Sequence, residues 1–171
     1  MEPVDQDHTA NMAAELDEIR RQQTLLLTML DHTQAGVVVH GNDGTLRFIN
    51  ASARKILGLT PESVPEVVKP GWNWWLFDEY GARLAPEQFP AQRVLQTGEP
   101  LDNLLLAIQP FDASPLCWCD VKAAPVLDLD GDISQVVVTL IDVTAQRKAR
   151  EALAASESLL SFGIRRADAD I

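Results

Sequence analysis

The chain has 171 residues, enough for one domain with a sizeable core and some additional helix. Its 14 basic residues face 25 acidic ones, a formal net charge of -11, and are scattered rather than gathered into a stripe, which argues against nucleic acid and anionic membrane as partners. The longest apolar runs, such as Val136 to Ile141, fall far short of the roughly 20 residues of a membrane span, and the acidic N-terminus has no secretory character, so the sequence reads as cytoplasmic.

Met12, Leu16, Ile19, Gln23, Leu26 and Leu30 alternate steps of four and three, the spacing of a left-handed helical seam. Such a helix seeks a partner helix or an apolar sheet face, and residues 1–24 read as a tail and amphipathic helix that dimerises. Two β-rich runs follow, Val37 to His40 and Thr45 to Ile49, and the Gly41-Asn42-Asp43-Gly44 cluster between them supplies the positive φ angles of a tight hairpin. Asn50 then offers a side-chain oxygen to the start of a short helix that Gly58 closes. From Thr60 to Pro90 proline and aromatic residues dominate, and short helical turns between loops are expected. Pro86 and Pro90 suit the opening of a further helix that stops at Gly98.

The last third is β-rich: LDNLLLAIQ, LCWCDVKAAPV and ISQVVVTLID, with Asp130-Gly131 turn chemistry between the second and third, predict three long antiparallel strands in meander order. The order helix, two strands, helical middle, three strands, helix predicts an α+β fold: one five-stranded antiparallel sheet with its helices on one face and flanking helices at both ends. Residues 25–142 read as the domain, and residues 143–171 as a C-terminal helix and linker whose abrupt end suggests an effector beyond it.

Alternation in CWCDVKAA places Cys117, Cys119, Val121 and Ala123 on one face and Trp118, Asp120, Lys122 and Ala124 on the other. Cys117 and Cys119 fit two buried thiols better than a disulfide. Among the aromatics of GWNWWLF, Trp72, Trp74, Trp75 and Phe77 could line a pocket for an apolar or cationic ligand or simply close the core, and Arg93 could pair a carboxylate or face solvent. Counted from Asp128 as an EF-hand loop, Gly131 falls at position four and Thr139 at twelve, so the Asp128-Asp130-Asp132 run reads as a solvated turn, and no metal site is expected. No catalytic motif is present, and an enzyme is not expected.

Three blocks, GVVVHGNDGTLRFINASARKILGLTPES, DEYGARLAPEQFPAQRVLQTGEPL and CDVKAAPVLDLDGDISQVVVTLIDVTAQRKAREAL, together resemble the PAS domain of bacterial sensor kinases and diguanylate cyclases over about residues 25 to 155. The resemblance implies a sheet that encloses a small pocket, for which Val38, His40, Trp74, Trp75, Phe77, Arg93, Cys119 and Val121 are candidates. It also implies that Asp142, Val143 and Thr144, matching the D-[IV]-T motif, relay a signal to the outgoing helix. Met12, Leu16, Ile19, Leu26, Leu30 and Trp118 are the residues expected at a homodimer contact.

The function so implied is a sensory module that takes a small molecule or partner and signals to a kinase, a cyclase or a further PAS domain, as in two-component or cyclic-di-GMP signalling. The alternative is a ligand-free dimerisation scaffold. Flavin is disfavoured because Gly71, Trp72 and Asn73 are followed by Trp74 where a photoreactive cysteine would stand. Haem is disfavoured because the helix before the third strand lacks a histidine; His8, His32 and His40 lie elsewhere, and His40 reads as hydrogen-bonded at the hairpin.

Overall fold

Two flanking helices bracket a single antiparallel sheet in the computed structural model, which describes residues 5–32, 34–63 and 75–167. Helix α1 (Asp5–His32) leads into the hairpin β1 (Gly36–Gly41) and β2 (Leu46–Ile49), then α2 (Ala51–Leu57). After β3 (Trp75–Phe77) come a single 3-10 turn (Pro86–Gln88) and α3 (Pro90–Thr97). The long strands β4 (Leu101–Gln109), β5 (Cys117–Leu127) and β6 (Ile133–Asp142) follow, and α4 (Thr144–Ala167) leaves the sheet.

The strand order is β2-β1-β6-β5-β4-β3, so the α+β expectation and the meander of the last three strands hold, but the sheet has six strands where five were expected. The additional strand is β3, in the stretch expected to contain only loops and short turns. Trp75, Leu76 and Phe77 are β-formers, and they pair with Gln109, Ile108 and Ala107 along what would otherwise be the open edge of β4. The single helix expected from Pro86 is divided as well: a 3-10 turn ends at Phe89, and Pro90 opens α3 at a first-turn position where its missing N–H costs nothing.

Register explains the core. Val138 stands opposite Val38 on one side and Ala123 on the other, Leu140 opposite Val121, and Leu106 opposite Cys119. These residues share one face of the sheet, which α2 covers with Ala53 and Leu57 and α3 with Ala91 and Val94. The alternation expected for β5 is seen in its burial, with Cys119, Val121 and Ala123 inside and Lys122 and Ala124 outside. Each large aliphatic side chain so withdrawn from water contributes about 1.5–3 kcal/mol. The close seat of α2 depends on Gly36, where a Cβ would stand 2.9 Å from the Ala53 Cα.

Asn50 ties three elements together at one end of the sheet. Its Oδ1 accepts from the N–H of Ala53, capping α2, and from the N–H of Val37, while its Nδ2 donates to the carbonyls of Leu30 and Ala35. Gly58, at φ 65°, closes α2 in the left-handed conformation, as expected.

Candidate functional site

Asp142 ends β6 opposite Cys119, and the main chain does not leave the sheet there. The N–H of Val143 donates to the Trp118 carbonyl at 2.8 Å, and the Trp118 N–H donates to Thr144 Oγ1 at 2.8 Å. A threonine side chain therefore continues the β5 ladder one step past the last strand residue, while Thr144 itself begins α4. The Asp142 carboxylate accepts from the Thr144 N–H at 2.9 Å, taking one of the donors that a helix N-terminus leaves unpaired. Although partial burial opposes its charge, the hydroxyl and N–H of Thr144 beside it hold the Asp142 carboxyl below the usual carboxylate range.

The same threonine faces a pair of thiols. Thr144 Oγ1 donates to Cys117 Sγ at 3.7 Å, and Cys117 Sγ lies 3.6 Å from Cys119 Sγ. Both cysteines are unbridged, Cys117 half-buried and Cys119 fully buried. Burial pushes both thiols up, Cys119 far more than Cys117, so both are protonated at neutral pH. On the opposite face of β5, the Arg147 guanidinium of α4 lies 4.0 Å from the centre of the Trp118 ring, and its Nε donates to Glu151 at 2.9 Å. Trp118, expected at a dimer or helix contact, packs against the outgoing helix of its own chain.

The residues expected to form a pocket come together only in part. Val38, Cys119 and Val121 belong to one buried cluster. His40, on the same face of β1, is half-buried at the hairpin, with Nδ1 3.2 Å from the Gly44 carbonyl; because a carbonyl only accepts, that nitrogen carries the proton. Burial lowers the His40 pKa, an effect the bond to Gly44 partly offsets. In β3 the inward residue is Leu76, so alternation turns Trp75 and Phe77 to the other face, correcting their expected place in the pocket. Trp75 is half exposed beneath the Arg83 guanidinium at 3.7 Å, and Phe77 flanks Ala107 across from Trp118. Arg93 is exposed on α3, and Trp74 lies outside the described residues.

Along α1, Met12, Leu16, Ile19 and Leu26 are exposed and Leu30 is half-buried near the Asn50 staple. Leu25 and Met29 are exposed beside them, two residues the seam reading missed although a wider apolar stripe would have included them. Gly36 pairs with Leu140, which places the end of α1 and the start of α4 at the same end of the sheet. Sequence spacing did not reveal the links from Thr144 to Trp118 and Cys117, because they join residues 26 and 27 positions apart. Among the described residues no group of three or more His, Cys, Asp or Glu is arranged to hold a metal, and no helix is long and apolar enough to cross a membrane.

Comparison with known proteins places this arrangement. The chain is similar to the PAS domain of an HTR-like protein from Haloarcula marismortui, at 16% identity and a TM-score of 0.56, over 76% of this chain and 98% of that one. It is similar to an RNA-binding light-oxygen-voltage receptor at 16% identity, TM-score 0.58, over 82% of this chain and 38% of that one. With the E. coli DhaR(N)-DhaL complex it shares 18% identity and a TM-score of 0.53, over 80% of this chain and 41% of that one. The chain thus spans about two fifths of the length of these last two relatives. Identities this low speak to the fold alone, and no curated protein matches. The family profile described as the PAS fold matches residues 30–148, taking in the staple, the whole sheet and the Thr144 joint, and on that span the chain belongs to the PAS family.

Proposed function

We propose that this chain is a sensory module in which occupancy of the core, by a small molecule or a partner segment, is relayed through Trp118, Asp142 and Thr144 to α4. PAS domains are in general sensory rather than catalytic modules. The observation that carries the relay is the Thr144 hydroxyl, which accepts from β5 while its own residue starts the helix. A shift of β5 against β6 cannot then be absorbed by slack chain; it moves the helix or breaks the bond. A ligand needs only to favour one of two arrangements by a few kcal/mol to shift the population. The output passes from α4 to an effector such as a kinase, a cyclase or a further PAS domain, the protein acting in the cytoplasm as a homodimer through α1. In this reading residues 25–142 are the sensing domain and the chain from residue 143 onward is the output.

A second reading has its own support. Cys119, Val121 and Val136 are at most 1% exposed, and the polar candidate Arg93 is exposed on α3. That arrangement suits a ligand-free scaffold with a filled core.

Amide NMR of the isotopically labelled protein, titrated with a broad metabolite panel, separates the two readings. The sensory reading expects a compound that shifts the amides of Cys119 and Val121 to shift those of Trp118, Thr144 and α4 as well. Compounds that move the core amides and leave the joint unmoved would sink the relay, and a panel without any effect would favour the scaffold. Native mass spectrometry and the visible spectrum of fresh protein give an independent check for a retained ligand or chromophore.

A further inference from the structure

We infer that Cys117 and Cys119 form a two-sulfur binding site for a soft, thiophilic centre at the foot of α4. The two Sγ atoms are 3.6 Å apart on one face of β5. Two thiolates held by one tetrahedral zinc ion, each at about 2.3 Å, stand roughly 3.8 Å apart, so the pair is spaced as the two arms of a chelate rather than as a disulfide. Neither cysteine is bridged, and the half-buried Cys117 gives access to the fully buried Cys119.

The chemistry of the surroundings narrows the occupant. With no third cysteine, histidine or carboxylate arranged as a ligand among the described residues, a hard or borderline dication that needs four protein ligands is poorly served. A soft centre satisfied by two sulfurs, as in trivalent organic arsenicals, is well served. Oxidants are poorly matched, since Cys119 is buried, Cys117 half-buried, and both are held protonated, so neither offers a ready thiolate. A centre that binds both sulfurs together has the advantage of the second bond forming within one complex.

The site bears on the output because Cys117 Sγ also accepts from Thr144 Oγ1, the atom to which the Trp118 N–H donates. Seating a group across the two sulfurs changes what Thr144 meets, and Thr144 is the first residue of α4.

Phenylarsine oxide tests this on the intact protein. Each S–H proton goes to the arsenic-bound oxygen, which leaves as water; two As–S bonds replace the bonds to oxygen, and arsenic remains trivalent. Mass spectrometry of the folded protein should show one phenylarsenic group in place of two protons, resistant to a monothiol wash and removed by a dithiol. Cys117→Ser and Cys119→Ala should each lose the wash-resistant adduct. Retention of that adduct by either single variant would overturn the site, as would a folded protein that stays unlabelled while the denatured chain is labelled. In the adduct, hydrogen exchange at the Trp118 amide and in the first turn of α4 should quicken several-fold, and unchanged exchange there would overturn the link to the output helix.

Discussion

Asn50 is 1% exposed, yet all four of its side-chain hydrogen-bonding positions are occupied, two by N–H groups and two by carbonyls. An ordinary N-cap exchanged for alanine loses about 1 kcal/mol. Asn50→Ala removes the bonds to Val37, Leu30 and Ala35 in addition to the cap, and a loss on the order of 3 kcal/mol is expected by chemical denaturation. A loss no larger than a cap's would mean that the tie to α1 contributes nothing. Asn50 as a cap was legible in the sequence, since Asn before a short apolar helix and Gly after it is local chemistry. Its bonds to Leu30 and Ala35 were not, because residues 20 and 15 positions away are brought to it only by the fold. His40 gives the second prediction at this scale. Its folded pKa lies below the ordinary value of 6.5. The unfolded chain therefore binds the proton first, and stability falls as pH drops below about 6.5 until the folded pKa is passed. Denaturation midpoints at pH 7.5 and 5.5 should differ in that direction, and His40→Gln should flatten the difference; an equal slope in the variant would remove His40 as its source. Asp43, Asp112 and Asp142 are held low and lose their contributions only in the more acidic carboxylate range, so the two windows separate.

At the scale of elements, a strand passes into a helix without glycine or proline because Val143 and Thr144 complete the β5 ladder before the helix turns away. Thr144→Val keeps the shape and removes the hydroxyl, leaving the half-buried Trp118 N–H without its acceptor, a cost of about 1–3 kcal/mol. Hydrogen exchange should find the Trp118 amide less protected and the first turn of α4 frayed, with Thr144→Ser close to wild type. Protection at Trp118 unchanged in the valine variant would show that the joint is fixed by other contacts. Three long strands were legible here because each, nine to eleven residues long, carries a clear apolar run or an alternating stretch. The three-residue β3 was not, since it carries one inward residue, Leu76, and owes its extension to the free edge of β4. The same brevity misled the pocket assignment: with no visible period, Trp75 and Phe77 looked like core aromatics, whereas Leu76 took the inward position.

For the whole molecule, the unresolved demand is the surface of α1. A helix of 28 residues extends for about 42 Å, and it presents Met12, Leu16, Ile19, Leu25, Leu26 and Met29 to solvent, each at least 46% exposed. Helices gain most of their stability from packing an apolar face, so a stripe of this length calls for a cover that the other described residues do not supply. In the proposed homodimer a second α1 meets it with the same heptad steps, and Gln23, the one polar seam residue, fixes register at some cost in stability. Because Gly36 and Leu140 are paired, two α1 helices joined in a dimer also bring the two α4 helices out from neighbouring points, where a change in one joint meets the other. Light scattering of the intact protein at tens of micromolar should give a dimer mass, and Leu16→Glu with Ile19→Glu should give a monomer with less helix by circular dichroism while the sheet remains folded. A monomeric wild type would leave α1 without a second copy as its cover. Gln23→Leu should tighten association while relaxing its register, and a looser dimer in that variant would place the polar seam residue among the stabilising contacts instead.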